Sequence, residues 1–392
     1  MERGTDIRRL DGKEPKMVTR RQHLAVLASV GTTALAGCSG GGPGDSSDGS
    51  PTERRPSRRP KRPERRRCHP LWNVVSRPAS PAAASGVRSP STGTRSSSAP
   101  SKTGRTVTLY VFTRTGDEWT RQSERTVVEG AAGETFGGQV GLAGDVAVVG
   151  AQTGADSNGP HAGFAHVFER DGGSWTQRTK LAPGDVDAQD AFGVATALTD
   201  RTALVGAAYD DEIASSAGSA YVFQRADDGW TRQAKLTPES DSYIDNFGLS
   251  VAVAGDTALV GAPTVENPQD QTGSAYVFRR EDGDWTRRAI LTAEDGASVD
   301  RFGWNVALAG ETALVAAVYD ENANGSEAGS VYAFAPVDGS WSQVEKVVPE
   351  AGGPEAHDGS AVASTDSTAV VGASGEDTAE GTDAGATYVY GR

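Results

Sequence analysis

Oxygen-bearing side chains alternate along residues 320–325, a spacing typical of loops that bind calcium. The candidate ligands are Asp320, Asn322, Asn324 and Glu327, with Gly325 at the position of the turn. Positions 9 and 12 of the loop are Ala328 and Val331, whereas an EF-hand has a carboxylate at position 12. We predict a calcium site here, with solvated carboxylates on an acidic surface as the alternative. Residues 376–383 repeat the pattern more weakly.

Catalytic patterns are absent from the sequence. The five histidines are scattered rather than grouped: they are His23, His69, His161, His166 and His357. The chain has no nucleophile-elbow motif, no Cys and His cluster with metal-ligand spacing, and no phosphate-binding loop. Paired carboxylates are common, but in a chain this acidic their proximity does not indicate catalysis. We therefore predict that the protein is not an enzyme and uses no cofactor other than calcium.

A sequence repeat of 55 or 56 residues, which begins near Tyr110, must position these residues. Each unit has an aromatic triplet, a Trp, and then Phe-Gly, Gly-Asp and Gly-Ala. The triplets begin at Tyr110, His166, Tyr221, Tyr276, Tyr332 and Tyr388, and the tryptophans are Trp119, Trp175, Trp230, Trp285 and Trp341. Phe-Gly follows Trp by 17 residues at Phe136-Gly137, Phe192-Gly193, Phe247-Gly248 and Phe302-Gly303. A fixed period of this size marks an array of identical supersecondary units.

Each unit has the pattern of four short antiparallel strands. In the cleanest unit, residues 247–253 and 257–262 alternate on either side of a Gly-Asp turn, which predicts a hairpin. Residues 274–279 and 285–291 form a second pair. Such units, with no helical period, predict an all-β fold: a β-propeller of five intact four-stranded blades plus partial ones, from an ancestor of six or seven. A stacked β-helix is the alternative architecture, and the Phe and Trp side chains are expected to pack between blades.

The repeats resemble the FG-GAP family, which forms the blades of integrin α-subunit heads. The signature is Phe247-Gly248 followed by Gly261-Ala262-Pro263, and it recurs in register over residues 106–392. In the last unit Asp358-Gly359 replaces Phe-Gly. The resemblance implies a propeller that serves in binding or adhesion. It also implies calcium in loops such as 320–327, because integrin blades carry calcium in loops of this kind.

Residues 17–38 have the features of an export signal. Arg20-Arg21 precede an apolar stretch, residues 24–36, which is too short to span a bilayer. The stretch ends in Leu-Ala-Gly-Cys38, which resembles the lipobox of prokaryotic lipoproteins, and the arginine pair resembles the export signal of folded proteins. We predict that residues 1–16 lie upstream of the true start, that residues 17–38 are a signal peptide and that Cys38 is lipidated. A fortuitous apolar stretch with a buried Cys is the alternative.

Residues 40–50 have the composition of a flexible tether, and residues 51–105 contain no periodic pattern and are rich in Arg, Pro and Ser, so we predict a disordered linker over residues 39–105. With GC-rich codons and a one-base shift of the reading frame, residues 85–100 become the repeat motif at the spacing of residues 247–262. We infer that a frameshift scrambled a first blade over residues 51–105. The ring is then expected to close incompletely and to expose strand edges. The alternative is a genuine basic arm, residues 54–67, that contacts phosphates or lipid headgroups.

Charge divides the chain into two unlike parts. Residues 1–105 hold 21 basic and 8 acidic side chains, whereas residues 106–392 hold 17 basic and 44 acidic ones, a net charge of −27. The acidic part has only three lysines: Lys180, Lys235 and Lys346. Such a surface is typical of halophilic proteins, because high salt screens its self-repulsion. An acidic extracellular domain is the alternative, and nucleic acid is a poor partner for either.

These features together predict a lipid-anchored extracellular lipoprotein of halophilic-archaeal type, whose propeller binds a protein or glycan. Because successive antiparallel strands end on alternate faces, the loops between strands 2 and 3 and the connectors between blades are expected on the same face, which is acidic. The enzymatic alternative is a quinone-dependent dehydrogenase-like propeller, since the segment from Gly273 to Trp285 resembles the Trp-bearing repeats of such enzymes. A third alternative is a non-functional product of a frameshifted gene.

Overall fold

The computed structural model describes residues 16–17, 72–78, 107–115, 118–127, 139–155, 158–238, 245–264, 272–349, 352–378 and 384–391. Every regular element in these ranges is a β-strand. Within them, no helix long and apolar enough to cross a membrane is found. Cys38, Phe136-Gly137 and residues 85–100 lie outside the described residues, so the predictions made on them stay predictions.

The strands form six antiparallel sheets along the chain. The N-terminal sheet contains β2 (Trp72–Pro78), β3 (Val107–Thr115) and β4 (Glu118–Val127), and β1 (Lys16–Met17) precedes it. Blade 1 contains β5 (Val140–Ala143), β6 (Val146–Ala151), β7 (Phe164–Asp171) and β8 (Ser174–Leu181). Blade 2 contains β9 (Phe192–Leu198), β10 (Thr202–Ala207), β11 (Ser219–Ala226) and β12 (Gly229–Leu236).

Three further blades follow. Blade 3 contains β13 (Ser250–Ala254), β14 (Thr257–Ala262), β15 (Ser274–Glu281) and β16 (Asp284–Leu291). Blade 4 contains β17 (Phe302–Ala309), β18 (Thr312–Ala317), β19 (Ser330–Val337) and β20 (Ser340–Val347). Blade 5 contains β21 (Asp358–Ser364), β22 (Thr368–Ala373) and β23 (Ala386–Gly391), with β1 as its outer strand. Five four-stranded blades thus confirm the predicted all-β propeller. β2 lies inside the 39–105 stretch for which a linker was predicted.

Two kinds of tight turn set the strand register. Between the first two strands of a blade, Gly144, Gly255 and Gly310 have φ of 54°, 56° and 56°, a left-handed conformation that glycine adopts freely. Between the third and fourth strands of blade 3, Asp282 and Gly283 have φ of 53° and 97°. Positive φ at both central residues is the requirement of a type I′ hairpin turn. The Gly-Asp and Asp-Gly pairs of the repeat are therefore turn positions.

The Phe-Gly and Gly-Ala pieces of the repeat meet between neighbouring blades. Phe247 is fully buried, and its ring contacts that of Tyr276 edge to face at 5.1 Å between centroids. A methyl group added at Gly206, in the Gly-Ala of blade 2, would overlap the carbonyl oxygen of Gly248 in the Phe-Gly of blade 3. The equivalent pairs are Gly150 with Gly193 and Gly261 with Gly303. These glycines let adjacent blades approach backbone to backbone, so the signature is a packing motif.

The first strands of the five blades surround a common axis. One narrow cavity along this axis is lined by side chains from all five of these strands, among them Leu142, Leu198, Val253, Leu308 and Ala363. Each blade contributes its innermost strand, so the blades are arranged radially, as in a propeller and not as in a stacked β-helix. β2 contacts β5, which places the N-terminal sheet beside blade 1.

Candidate functional site

The long loops lie on one face of the propeller, as strand parity predicts. The loop between the second and third strands of each blade ends beside the first strand of the next blade. The bridges are Gly163↔Phe192, Gly218↔Phe247 and Gly273↔Phe302. The connectors between blades run beside the same loops, because the backbone N–H of Tyr209 donates to the carbonyl of Asp190. We call this side the loop face.

Several carboxylates of the loop face are buried rather than solvated. Asp190, Asp245 and Asp300 precede the Phe-Gly position by two residues and are 4%, 0% and 5% exposed. The Asp190 carboxylate accepts a 2.7 Å hydrogen bond from the backbone N–H of Asp187, which holds the turn of the connector. Burial raises the pKa of Asp190 to about 6, against the opposing effect of that hydrogen bond. Some of the acidic side chains on this face therefore stabilise its loops and connectors.

Asp320, the first candidate calcium ligand, forms a buried ion pair. Its carboxylate accepts hydrogen bonds from the Ser330 hydroxyl at 2.6 Å and the Tyr332 hydroxyl at 3.1 Å, and Lys346 Nζ lies 3.0 Å away. Lys346 also donates to Asp295 at 2.7 Å. Burial acts to raise the pKa of Asp295, but the hydrogen bonds from Lys346 and Tyr332 outweigh it and hold that pKa below its ordinary value.

Asn322 and Asn324 shape the loop that follows Asp320. The Asn322 side-chain amide donates to the carbonyl of Gly329 at 2.6 Å, and its oxygen accepts the backbone N–H of Asn324 at 2.8 Å. The Asn324 amide donates to the carbonyl of Pro349 at 2.7 Å. These are the local hydrogen bonds by which Asn residues stabilise turns. The regular spacing of oxygens therefore has a role in loop geometry.

Three of the four candidate calcium ligands already have protein partners in this geometry, and the calcium site stays a prediction. Lys346 already supplies the positive charge at Asp320, and the Asn322 oxygen is occupied by a backbone donor. Glu327 is exposed and lies 3.6 Å from His357 Nε2. In the part of the chain that the structure describes, no group of three or more His, Cys, Asp or Glu side chains is arranged to hold a metal. Residues 379–383 of the weaker loop lie outside the described residues.

Blade 2 contains the same network as blade 4. Asp210 accepts hydrogen bonds from the Ser219 hydroxyl at 2.7 Å and the Tyr221 hydroxyl at 3.0 Å, and it pairs with Lys235 Nζ at 2.7 Å. Lys235 also pairs with Glu212. Burial acts to raise the pKa of Asp210, but the hydrogen bonds from Lys235 and Ser219 hold it below its ordinary value. We call this arrangement the Asp–Lys network.

The three lysines of residues 106–392 occupy one position in the blade, five residues after the Trp of the outer strand. Lys235 and Lys346 belong to Asp–Lys networks, whereas Lys180 in blade 1 lies over the ring of Phe164 at 3.8 Å. Blade 3 has lost both partners, with Ile290 at the lysine position and Val265 at the acidic position. No motif in the sequence predicted this network. The recurrence of Lys at one repeat position was the signal that could have revealed it.

The loop face opens at its centre into a cavity of about 270 Å³, which we call the axial mouth. Its lining comes from the beginnings of the inner strands and the ends of neighbouring ones. The side chains that carry chemistry are Gln139, Gln152, Trp304, Asn305 and Ser360, and none of the residues that line the mouth is titratable. The Asn305 amide donates to the carbonyl of Ser360 at 2.7 Å, which joins blade 4 to blade 5 at the rim.

Trp304 connects the axial mouth to a cluster of aromatic and basic side chains. Its half-buried ring lies 6.3 Å from that of Tyr319, edge to face. The guanidinium of Arg301 lies 5.3 Å from the Trp304 ring and 5.1 Å from the Tyr319 ring, within cation–π range. The ring of His357 contacts Tyr319 at 5.2 Å. At the Trp304 position the other described blades have Val194, Leu249 and Ser360, so this cluster is a feature of blade 4 alone among them.

The radial blades, the common axis and the in-register repeat define a β-propeller of repeated four-stranded units. The FG-GAP repeat family matches five consecutive segments, residues 119–168, 175–223, 230–278, 285–334 and 341–390, which together cover more than half of the chain. The chain belongs to the FG-GAP repeat family. Each match begins at the Trp of one outer strand and ends on the third strand of the next blade, so the sequence repeat and the blade are offset by one strand. No protein of curated function matches this chain.

Proposed function

We propose that this protein is a non-enzymatic binding module at the cell surface and that the axial mouth is its ligand site. The observation that carries this proposal is the lining of the mouth, which combines three amide side chains and one hydroxyl with Trp304. Binding pockets combine an apolar or aromatic surface with a few polar groups that set the orientation of the ligand. The lining residues contain no group able to act as a general acid or base.

The chemistry of the mouth favours a glycan as ligand. Amide side chains such as Gln139 and Gln152 both donate and accept hydrogen bonds, which suits the hydroxyl groups of a sugar. The Trp304 ring offers an apolar face with one polar edge, which suits the faces of a sugar ring. A protein ligand would instead be expected to contact the wider loop face, whose exposed aromatic residue in blade 2 is Tyr209.

A glycan-binding screen on the whole chain tests this proposal. Immobilised oligosaccharides of neutral and charged classes are offered in high salt, and the affinity for any hit is measured by calorimetry. The Trp304→Ala variant is expected to lose at least about fivefold in affinity, because stacking contacts of aromatic rings are worth roughly 1 kcal/mol or more each. Tyr209→Ala removes an aromatic ring from the same face and is the matched control, since Tyr209 does not line the mouth.

Two results would overturn the assignment of the site. One is a screen without any hit; the other is equal loss of affinity in the Trp304 and Tyr209 variants. Retention of a protein on the loop face, with no glycan bound, would favour the protein ligand.

Attachment to the cell surface through Cys38 is part of the same proposal. It is supported by the lipobox-like segment that ends at Cys38 and by the preceding arginine pair. Mass spectrometry of the protein from membranes tests it: we expect an N-terminal peptide that begins with a diacylglycerol-modified Cys38. Recovery of an unmodified Cys38 within a longer chain would contradict lipid anchoring.

A further inference from the structure

Blade 4 places a cation beside the aromatic side chain of the axial mouth. The guanidinium of Arg301 lies 5.3 Å from the ring of Trp304, which lines the mouth, and 5.1 Å from the ring of Tyr319. The backbone N–H of Trp304 donates to the carbonyl of Arg301 at 3.1 Å, and this turn holds the two residues together. Both residues are half-buried. A basic group therefore lies within reach of a ligand that contacts Trp304.

Blade 3 shows that the fold does not require an arginine at this position. Arg301 precedes Phe-Gly, and the equivalent residue of blade 3 is Asn246, with φ of 50° against 56° at Arg301. The Asn246 amide donates to the carbonyl of Ala208 at 3.2 Å, and its oxygen accepts a 2.7 Å hydrogen bond from the hydroxyl of Thr264. Thr264 occupies the position of Tyr319. A hydrogen-bonded pair thus closes the loop in blade 3, where blade 4 has a guanidinium and an aromatic ring.

The described carboxylates nearest in sequence to this cluster have partners of their own. Asp300 accepts a 2.6 Å hydrogen bond from a backbone N–H of its own connector. Asp320 pairs with Lys346, and Glu327 lies 3.6 Å from Nε2 of His357. These three carboxylates therefore serve the connector, the Asp–Lys network and the histidine, and the guanidinium of blade 4 is held by aromatic rings instead.

We propose that the ligand of the axial mouth is an acidic glycan, whose carboxylate or sulfate group is bound by Arg301 while a sugar ring packs on Trp304. This inference rests on the function proposed above and names the class of ligand. A cation–π contact uses the charge of a guanidinium, whereas the N–H donors lie in its own plane. Those donors match the paired oxygens of an anionic group.

The overall charge of the chain makes this contact selective for the ligand and not a general attraction of anions. Residues 106–392 have a net charge of −27, so their long-range field repels anions. Salt at about 1 M shortens the screening length to about 3 Å. In high salt the repulsion is therefore screened, and an acidic glycan is held by the direct contact with Arg301.

Two pairs of ligands that differ in charge test the proposal. Oligosaccharides of glucuronic acid and their carboxyl-reduced forms are titrated into the whole chain in high salt, and affinities are measured by calorimetry. A sulfated oligosaccharide and its desulfated form are the second pair. We expect the acidic member of at least one pair to bind about tenfold more tightly, because it gains hydrogen bonds with a charged donor. The pair that shows this preference distinguishes a carboxylate from a sulfate as the bound group.

Substitutions of Arg301 assign the preference to its guanidinium. Arg301→Asn introduces the residue type of blade 3, which adopts the same left-handed backbone, and should abolish the preference. Arg301→Lys keeps the charge without the planar set of donors and should retain part of it. Arg201→Asn is the matched control, because Arg201 is exposed on a turn of the opposite face, and should leave the preference unchanged.

The outcomes are distinguishable. A charge preference that Arg301→Asn abolishes and Arg201→Asn retains supports the proposal. Equal affinities within both ligand pairs, or a preference that survives Arg301→Asn, overturn it. A neutral glycan whose binding depends on Trp304 would in that case leave the axial mouth as the ligand site, whereas the failure of every glycan to bind refutes both proposals. Should Arg301→Asn fail to fold, which circular dichroism would reveal, the comparison within each ligand pair on the unaltered chain still decides.

Discussion

Blades 2 and 5 place a carboxylate at the same position of the same loop, but the residue opposite the tyrosine of the third strand is Lys235 in blade 2 and Met17 in blade 5. In blade 2 the Asp210 carboxylate is paired with Lys235, and its pKa is lowered. Among the described side chains, no lysine lies at the equivalent Glu376 of blade 5, and the pKa of Glu376 is raised by burial and by the charge of Asp377. The difference shows that the buried acid of the loop is one member of an Asp–Lys network, whose other member is a lysine on the outer strand.

Blade 3 supports this interpretation from the other direction. It has Val265 in place of the acid and Ile290 in place of the lysine, so both halves of the unit are missing together. Removing both members of a buried pair leaves no uncompensated charge, whereas removing one does. Blade 5 keeps the acid but has Met17, and not a lysine, opposite the tyrosine of its third strand.

The largest effect is expected when blade 2 is made to resemble blade 5. Lys235→Met leaves the Asp210 carboxylate buried without its cation and should destabilise the protein by about 3–5 kcal/mol. Urea unfolding followed by fluorescence measures this change. Adding Asp210→Asn to Lys235→Met should recover most of the loss.

The matched control is Lys180→Met in blade 1, where Gly154 stands at the acidic position. Lys180 lies over the ring of Phe164 and has no carboxylate at the acidic position, so its replacement should lower stability by less than that of Lys235. If Lys235→Met proved no more harmful than Lys180→Met, the Asp–Lys network would not be the unit described above.

A smaller effect, when counted per pH unit, is expected in the pH dependence of blade 5. The folded-state pKa of Asp358 is about 8, above the ordinary value of 3.8, so the folded protein holds a proton that the unfolded chain releases. The resulting stability is present in full below about pH 4 and is lost as the pH rises through 8. Asp358→Asn removes this titration, so the free energy of unfolding of the variant relative to that of the unaltered protein should rise by about 1.4 kcal/mol per pH unit between pH 5 and 8.

Chemical unfolding at several pH values in constant salt measures this difference. Glu376 and Tyr388 also face Asp358, and Glu376 titrates in the same direction, so Glu376→Gln is run in parallel to separate the two carboxyls. If the stability of Asp358→Asn and that of the unaltered protein changed in parallel from pH 5 to 8, Asp358 would not hold a proton in the folded protein.

The smallest effect is expected from calcium. Lys346 supplies the positive charge at Asp320, so adding millimolar calcium or a chelator should leave the melting temperature of the protein unchanged within about 1 °C at fixed ionic strength. Magnesium is the control for a general effect of divalent ions. A rise of several degrees that is specific to calcium, and that Asp320→Asn abolishes, would show that the ion displaces Lys346.

Much of the fold could be predicted because its signals are local. Asp282 and Gly283 indicate a turn because they stand between two segments in which apolar and polar residues alternate. Strand β14 has the predicted bounds, Thr257–Ala262. The position of the loop face follows from the number of strands in each blade, because successive antiparallel strands end on alternate faces.

The site was harder to predict, because Asp320 and Lys346 are 26 residues apart and come from a loop and an outer strand. The sequence shows the calcium-like spacing of Asn322 and Asn324, but the role of these side chains depends on hydrogen bonds within the loop and to the connector, which only the structure shows.

The sequence by itself determined the blade: its length, its turns, its buried aromatic positions and the glycines where blades meet. These features depend on residues within one repeat or at the same position of the next, and a periodic pattern displays them directly. Only the tertiary structure decided which acids are buried, which of them have a lysine, and which side chains surround the axial mouth. Those features join residues of different strands and blades, where the free energy of a charge depends on partners that no local pattern contains.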